Sequence, residues 1–150
     1  MGSADPDPET IARYIVATYR DTVVARAGGA IFFSCDESSW PNFATIVTTD
    51  EHDTWEGGPP PKSGLAREGV FRLNIGVGPE TFDRIAGGRR EPDYSALDTL
   101  FPHPVYAAQQ WVAVLNPSAE RFERDVKPLL EEAHARVATK TEQRRAATRS

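Results

Sequence analysis

Val70-Phe71-Arg72-Leu73-Asn74-Ile75-Gly76-Val77 (VFRLNIGV, residues 70–77) alternates without a break. Phe71, Leu73, Ile75 and Val77 fall on one side, Arg72, Asn74 and Gly76 on the other. A period of two belongs to a strand with one face against a core. Immediately downstream, Gly78-Pro79-Glu80 opens a short helix whose Phe82, Ile85 and Ala86 are expected to face inward, and Gly87-Gly88 ends it. Upstream, Phe43 to Thr49 is rich in β-branched residues and reads as another strand. Thr22 to Ala27 and Ala30 to Cys35, joined by Gly28-Gly29, form the strongest hairpin signal in the chain. Trp111 to Leu115 is a fifth strand.

Helices flank this set. Asp7-Pro8-Glu9 is a helix opening, with Asp7 as cap and proline in the first turn, and Ile11, Tyr14, Ile15, Thr18 and Tyr19 place one apolar stripe on a helix from about Pro8 to Arg20. Asn116 and Ser118 are candidate caps for a last helix, whose stripe is Phe122, Val126, Leu129, Leu130, Ala133 and Val137. Pro128 inside that stripe predicts a kink or a restart. The order lacks a βαβ alternation, so the expected class is α+β, an antiparallel sheet of about five strands with helices packed on one face. Such a sheet leaves its second face for water, a partner or a ligand. Two connections, Asp50 to Gly69 and Gly87 to Gln109, are long enough that any site is expected to border one of them. Residues 1–8 read as a flexible start, 9–138 as one domain and 139–150 as a basic, disordered tail. From Arg136 onward, five basic residues stand against Glu142 alone.

The whole chain is 150 residues with a formal charge of −5. One cysteine, Cys35, permits neither an intramolecular disulfide nor a cysteine zinc cage. Three histidines, at 52, 103 and 134, show no HExxH spacing, which argues against a zinc enzyme. No apolar run approaches a bilayer span, and the first ten residues have neither the basic nor the apolar section of a signal peptide. A cytoplasmic protein with no membrane, no cofactor and no metal is expected. The acidic body makes nucleic acid an unlikely partner, since its binders carry a basic patch.

Two groups carry the chemistry. Arg72 and Asn74, with Thr45 or Thr48 on a neighbouring strand, unite a guanidinium fork, a carboxamide and a hydroxyl, a set that grips a carboxylate, a phosphate or a planar polar ring. The bland alternative is that Arg72 covers sheet surface with its stem and pairs with an acid. His103 lies in Phe101-Pro102-His103-Pro104-Val105-Tyr106, where two prolines stiffen its presentation and Tyr106 can share its pocket. Its bland alternative is a histidine bonded to backbone carbonyls that pins the long loop to the sheet. Trp111 packs on or lines the sheet face, while Trp40 and Trp55 fall in loops. Asp50-Glu51-His52-Asp53 with Glu56 lacks calcium-loop spacing and reads as a solvated acidic loop. Cys35 reads as a small half-buried residue, and Gly76-Val77-Gly78 as helix entry ahead of a phosphate site.

The strings GVFRLNIGVGPETF (69–82), ALDTLFPHPVYAAQQWVAVLNPS (96–118) and VKPLLEEAHARV (126–137) resemble a bacterial family of small domains of unknown function, over about Glu9 to Ala138. More remotely, the chain is similar to the MmcQ/YjbR-like (frataxin-like) proteins, in which a histidine precedes a strand-starting tryptophan as His103 precedes Trp111. That resemblance implies a helix, an antiparallel sheet and a closing helix, and a DNA-binding label by analogy of fold. The lysine of its pattern has no counterpart here, where Ala107 to Gln110 stand.

The leading expectation is a binding module for a small anionic or planar ligand on the open sheet face, through Arg72, Asn74, His103, Tyr106 and Trp111, with no catalytic residue assigned. An enzyme using His103 as acid or base, a homodimerising or partner-binding domain, and a weak nucleic-acid binder are the alternatives.

Overall fold

A computed structural model describes residues 5–36, 41–53, 62–87 and 92–149. Trp40 and Trp55, Ser38-Ser39, Glu56 and the GGPPP run lie outside them.

The first helix, α1 (Pro8–Thr18), begins where Asp7 accepts the Thr10 N–H at 2.8 Å. The strands β1 (Val23–Ala27), β2 (Ala30–Ser34), β3 (Asn42–Val47), β4 (Arg72–Gly76), β5 (Leu100–Pro102) and β6 (Trp111–Leu115) form a single antiparallel sheet in the order β1-β2-β3-β4-β6-β5. The β1–β2 turn uses Gly28 and Gly29, both at positive φ (52° and 77°), the left-handed pair that a two-residue hairpin turn requires. Five of these strands are the ones the residue pattern announces. The sixth, β5, is three residues long and contains a proline, so it carries no alternation to read.

Directly paired residues share a face, which separates the sheet cleanly. Phe33↔Ala44↔Ile75↔Val112 and Ile31↔Ile46↔Leu73↔Val114 form two rows of one face. Onto them pack Ile11 and Ile15 of α1 and Leu130, Ala133 and Val137 of a long C-terminal helix. The helix α2 (Pro79–Ala86), closed by left-handed Gly87, adds Phe82 and Ile85 at the edge of this core, both only partly buried. The helical layer therefore lies on one side, as expected, and the greasy members of VFRLNIGV point beneath it.

Ser118 caps α3 (Ala119–Arg121) by accepting the Arg121 N–H at 3.1 Å. The chain then makes one π-helical turn, Phe122–Val126, before α4 (Lys127–Arg149). Pro128 explains the turn: its ring collides with the carbonyl four residues back and offers no N–H to it, so the wider winding lets the helix restart. The segment from 139 onward, expected as a frayed tail, forms the last turns of α4 within the described residues. Thr141 is buried there and Arg144 pairs with Asp36 beyond β2.

The second face is a correction. Ala30, Val47, Ala113 and Leu115, with Phe101, Leu65 and Tyr94, make a smaller apolar cluster on it. Loop residues thus cover much of this surface, and Arg72 and Asn74 are only 1% and 3% exposed. The face is not open; what remains of it is a cavity. Among the described residues no helix is long and apolar enough to cross a membrane.

Candidate functional site

Register places Asn74 opposite Thr45 on one side and Ala113 on the other, and Arg72 between Val47 and Leu115. From there Arg72 Nε donates to Asn74 Oδ1 at 2.7 Å, and Asn74 Nδ2 donates to Thr45 Oγ1 at 2.9 Å. Arg72 Nη1 donates to the buried Ser63 Oγ at 3.1 Å. Buried polar groups of this kind persist only when they are hydrogen-bonded to one another. Thr45, the neighbour anticipated for the polar side of β4, is thus in place; Thr48 instead bonds the Gly29 carbonyl of the hairpin turn.

His103 reaches the same spot from the second long loop. Pro102 ends β5, and the turn beyond Pro104 directs two backbone N–H groups back at the imidazole: Val105 N and Tyr106 N donate to Nδ1 at 2.9 and 3.0 Å. The two N–H groups that Nδ1 accepts favour the ring proton on Nε2, which lies in hydrogen-bond contact with Arg72 Nη2 at 3.2 Å; the roles at that contact follow the tautomer. Arg72 and His103 each make a further interaction beyond these. The bland expectation for His103, a ring bonded to backbone carbonyls, is corrected: Nδ1 accepts backbone N–H groups of its own loop, and Nε2 meets Arg72.

The cavity has a volume of about 550 Å³. All five residues expected from the sequence, Arg72, Asn74, His103, Tyr106 and Trp111, line it. The Tyr106 ring lies 5.0 Å from the imidazole, and the Trp111 indole crosses Gly76, where an added Cβ would sit 3.0 Å from it. Among the contributors that the sequence does not single out are Phe32, Asn42, and Arg136 and Lys140 on successive turns of α4. Lys140 falls in the stretch expected as a basic tail and Arg136 just before it; their spacing of four puts them on one helix face, at the cavity wall. Among the described lining residues there are three cations and no acid. The Asn42 Oδ1 is buried without a hydrogen-bond partner, an acceptor awaiting a donor.

Neighbouring features are already satisfied. The N-terminus of α2 receives Glu132, which accepts from Gly78 N at 2.7 Å and Thr81 Oγ at 2.6 Å, so helix entry and not a phosphate site is what Gly76-Val77-Gly78 provides. Asp50 accepts the Leu65 N–H with both oxygens at 3.1 Å and closes its own loop.

Fold and cavity together define a small α+β domain with a one-sided helical layer and a cation-lined cavity that extends from the reverse of its sheet to α4. No curated protein and no solved structure matches the chain. The chain belongs to the Family of unknown function (DUF6194), which it matches over residues 6–146.

Proposed function

We propose that the domain binds a small organic anion, a carboxylate or phosphate monoester carrying a planar ring, in the cavity between β4, the His103 loop and α4. The observation that carries this reading is a cavity whose described lining holds Arg72, Arg136 and Lys140 and no acid. Charged donors of this kind suit an anionic oxygen. Arg136 and Lys140 add positive potential in a chain whose net charge is negative. Trp111, Tyr106 and Phe32 supply surface for a ring, and Asn42 an acceptor for a ring N–H or hydroxyl. The volume suits a metabolite-sized ligand.

His103 acts in this reading as a donor and not as a general base, because its Nδ1 lone pair is already taken by two backbone groups. Binding is therefore favoured over acid–base catalysis.

A thermal-shift screen with aromatic carboxylates and nucleoside monophosphates tests it. At ligand about 100-fold above Kd, a true ligand raises the melting temperature by about 5 °C or more. The same compound should shift an Arg136→Glu/Lys140→Glu double variant far less. No shift with any anion, or equal shifts in both proteins, would overturn the reading.

A further inference from the structure

A second cluster lies on the helical side, outside the cavity. The β1–β2 register pairs Val23 with Ser34, so the residues just beyond that pair, Asp21 before β1 and Cys35 after β2, meet at one end of the hairpin. His134 of α4 comes down on the same spot. Its ring is stacked on Tyr19 at 4.4 Å and meets the edge of Phe43 at 5.3 Å, so two aromatic side chains fix its plane. His134 Nε2 lies 2.7 Å from Asp21 Oδ1. The Cys35 sulfur, an Asp21 oxygen and a His134 nitrogen all fall within 4.8 Å of one another.

We propose that Asp21, Cys35 and His134 form a binding site for a thiophilic divalent metal ion of the zinc type. One sulfur, one nitrogen and one oxygen are the donors zinc takes. At zinc–ligand distances of about 2.0–2.3 Å, tetrahedral ligand atoms stand about 3.3–3.8 Å apart, so the three side chains need move by only about 1 Å. Three protein ligands leave a fourth position for water, as in sites that exchange ligands and unlike closed structural cages. Asp21, half exposed, is the entry side, and Cys35 is buried on the inner side. Of the charges close by, Asp36 is held by Arg144 and Arg145, and Asp21 is the carboxylate within the cluster among the described residues.

Burial first, and then the Asp21 carboxylate, push the Cys35 thiol up to about 11. A thiol so raised is a poor nucleophile. A dication reverses that balance: the sulfur–metal bond forms as the thiol proton leaves to solvent, and Asp21 turns from a destabilising neighbour into a ligand.

Cobalt(II) added to the full chain is the test, since a cobalt–thiolate bond gives a charge-transfer absorption that nitrogen and oxygen ligands do not. The expected result is one equivalent of cobalt bound with that band, displaced by zinc, with no band in Cys35→Ser and affinity weakened more than about 10-fold in His134→Gln. His134→Gln, at a partly buried position, also serves if Cys35→Ser does not fold. Absence of the band in the wild type, its survival in Cys35→Ser, or equal affinity in His134→Gln would overturn the proposal.

Discussion

Arg72 is the residue on which the site turns. Its guanidinium is buried and holds Asn74 and Ser63 while lying against His103. Replacing it with methionine keeps volume but strands those polar groups, so Arg72→Met should lose about 3 kcal/mol in urea unfolding. Thr45→Val, which removes only the acceptor of Asn74 Nδ2, should lose about 1 kcal/mol. Wild-type stability in both variants would show that the buried network contributes nothing. At this scale much was legible: strict alternation put Arg72 and Asn74 on one surface, and the proline-flanked His103 stood out. Their burial was not legible, because alternation reports which side a residue faces and not what covers that side. Ser63 and Asn42 have no periodicity around them at all.

Elements meet the site through close packing. Gly76 of β4 faces Trp111 of β6, with the indole carbons 3.0 and 3.1 Å from where a Cβ would stand. Gly76→Val should therefore displace the indole, cost about 1–3 kcal/mol in stability and weaken anion binding; full stability with unchanged binding would show that the indole yields freely. At the other end of β6, Asp98 ties the β5 approach to α3: its carboxylate accepts from Ser118 N at 2.8 Å and from Arg121 Nε at 3.2 Å. Partial burial pulls the Asp98 carboxyl up, but the Ser118 donors and Arg121 together hold it below its ordinary value. A lowered folded value means that the unfolded chain takes up the proton more readily. The stabilisation is thus present above the ordinary carboxyl value and lost as pH falls through the lowered one. Melting temperatures should drop between pH 5 and pH 3 more steeply in wild type than in Asp98→Asn, a substitution that tolerates the positive φ of 54° at this position. Equal slopes would contradict the assignment. The helix ends and five strands were readable because caps, glycine turns and β-branched runs act locally. The short β5 was not, since its pairing with β6 and the burial of Phe101 are long-range contacts that no local pattern announces.

Over the whole molecule, the placement of β6 between β4 and β5 brings the His103 loop beside β4, and it is a long-range pairing that no local pattern specifies. The one-sided helical layer followed from the order of elements; the cover on the second face did not. The same holds for residues 139–149, whose charge suggested a loose end and whose buried Thr141 and Arg144–Asp36 pair join them to the body. Deleting residues 139–150 should lower the melting temperature and, by removing Lys140, weaken anion binding; an unchanged protein would restore the loose tail. The central claim, that an anion binds in the cavity beside Arg72 and His103, is tested most directly by nitrogen-15 NMR of the labelled imidazole. The account predicts a neutral ring protonated at Nε2, with the Nε2 resonance moving when an aromatic carboxylate or phosphate monoester binds and the Nδ1 resonance staying put. A ring protonated at Nδ1, or an Nε2 resonance that no anion disturbs, would contradict it.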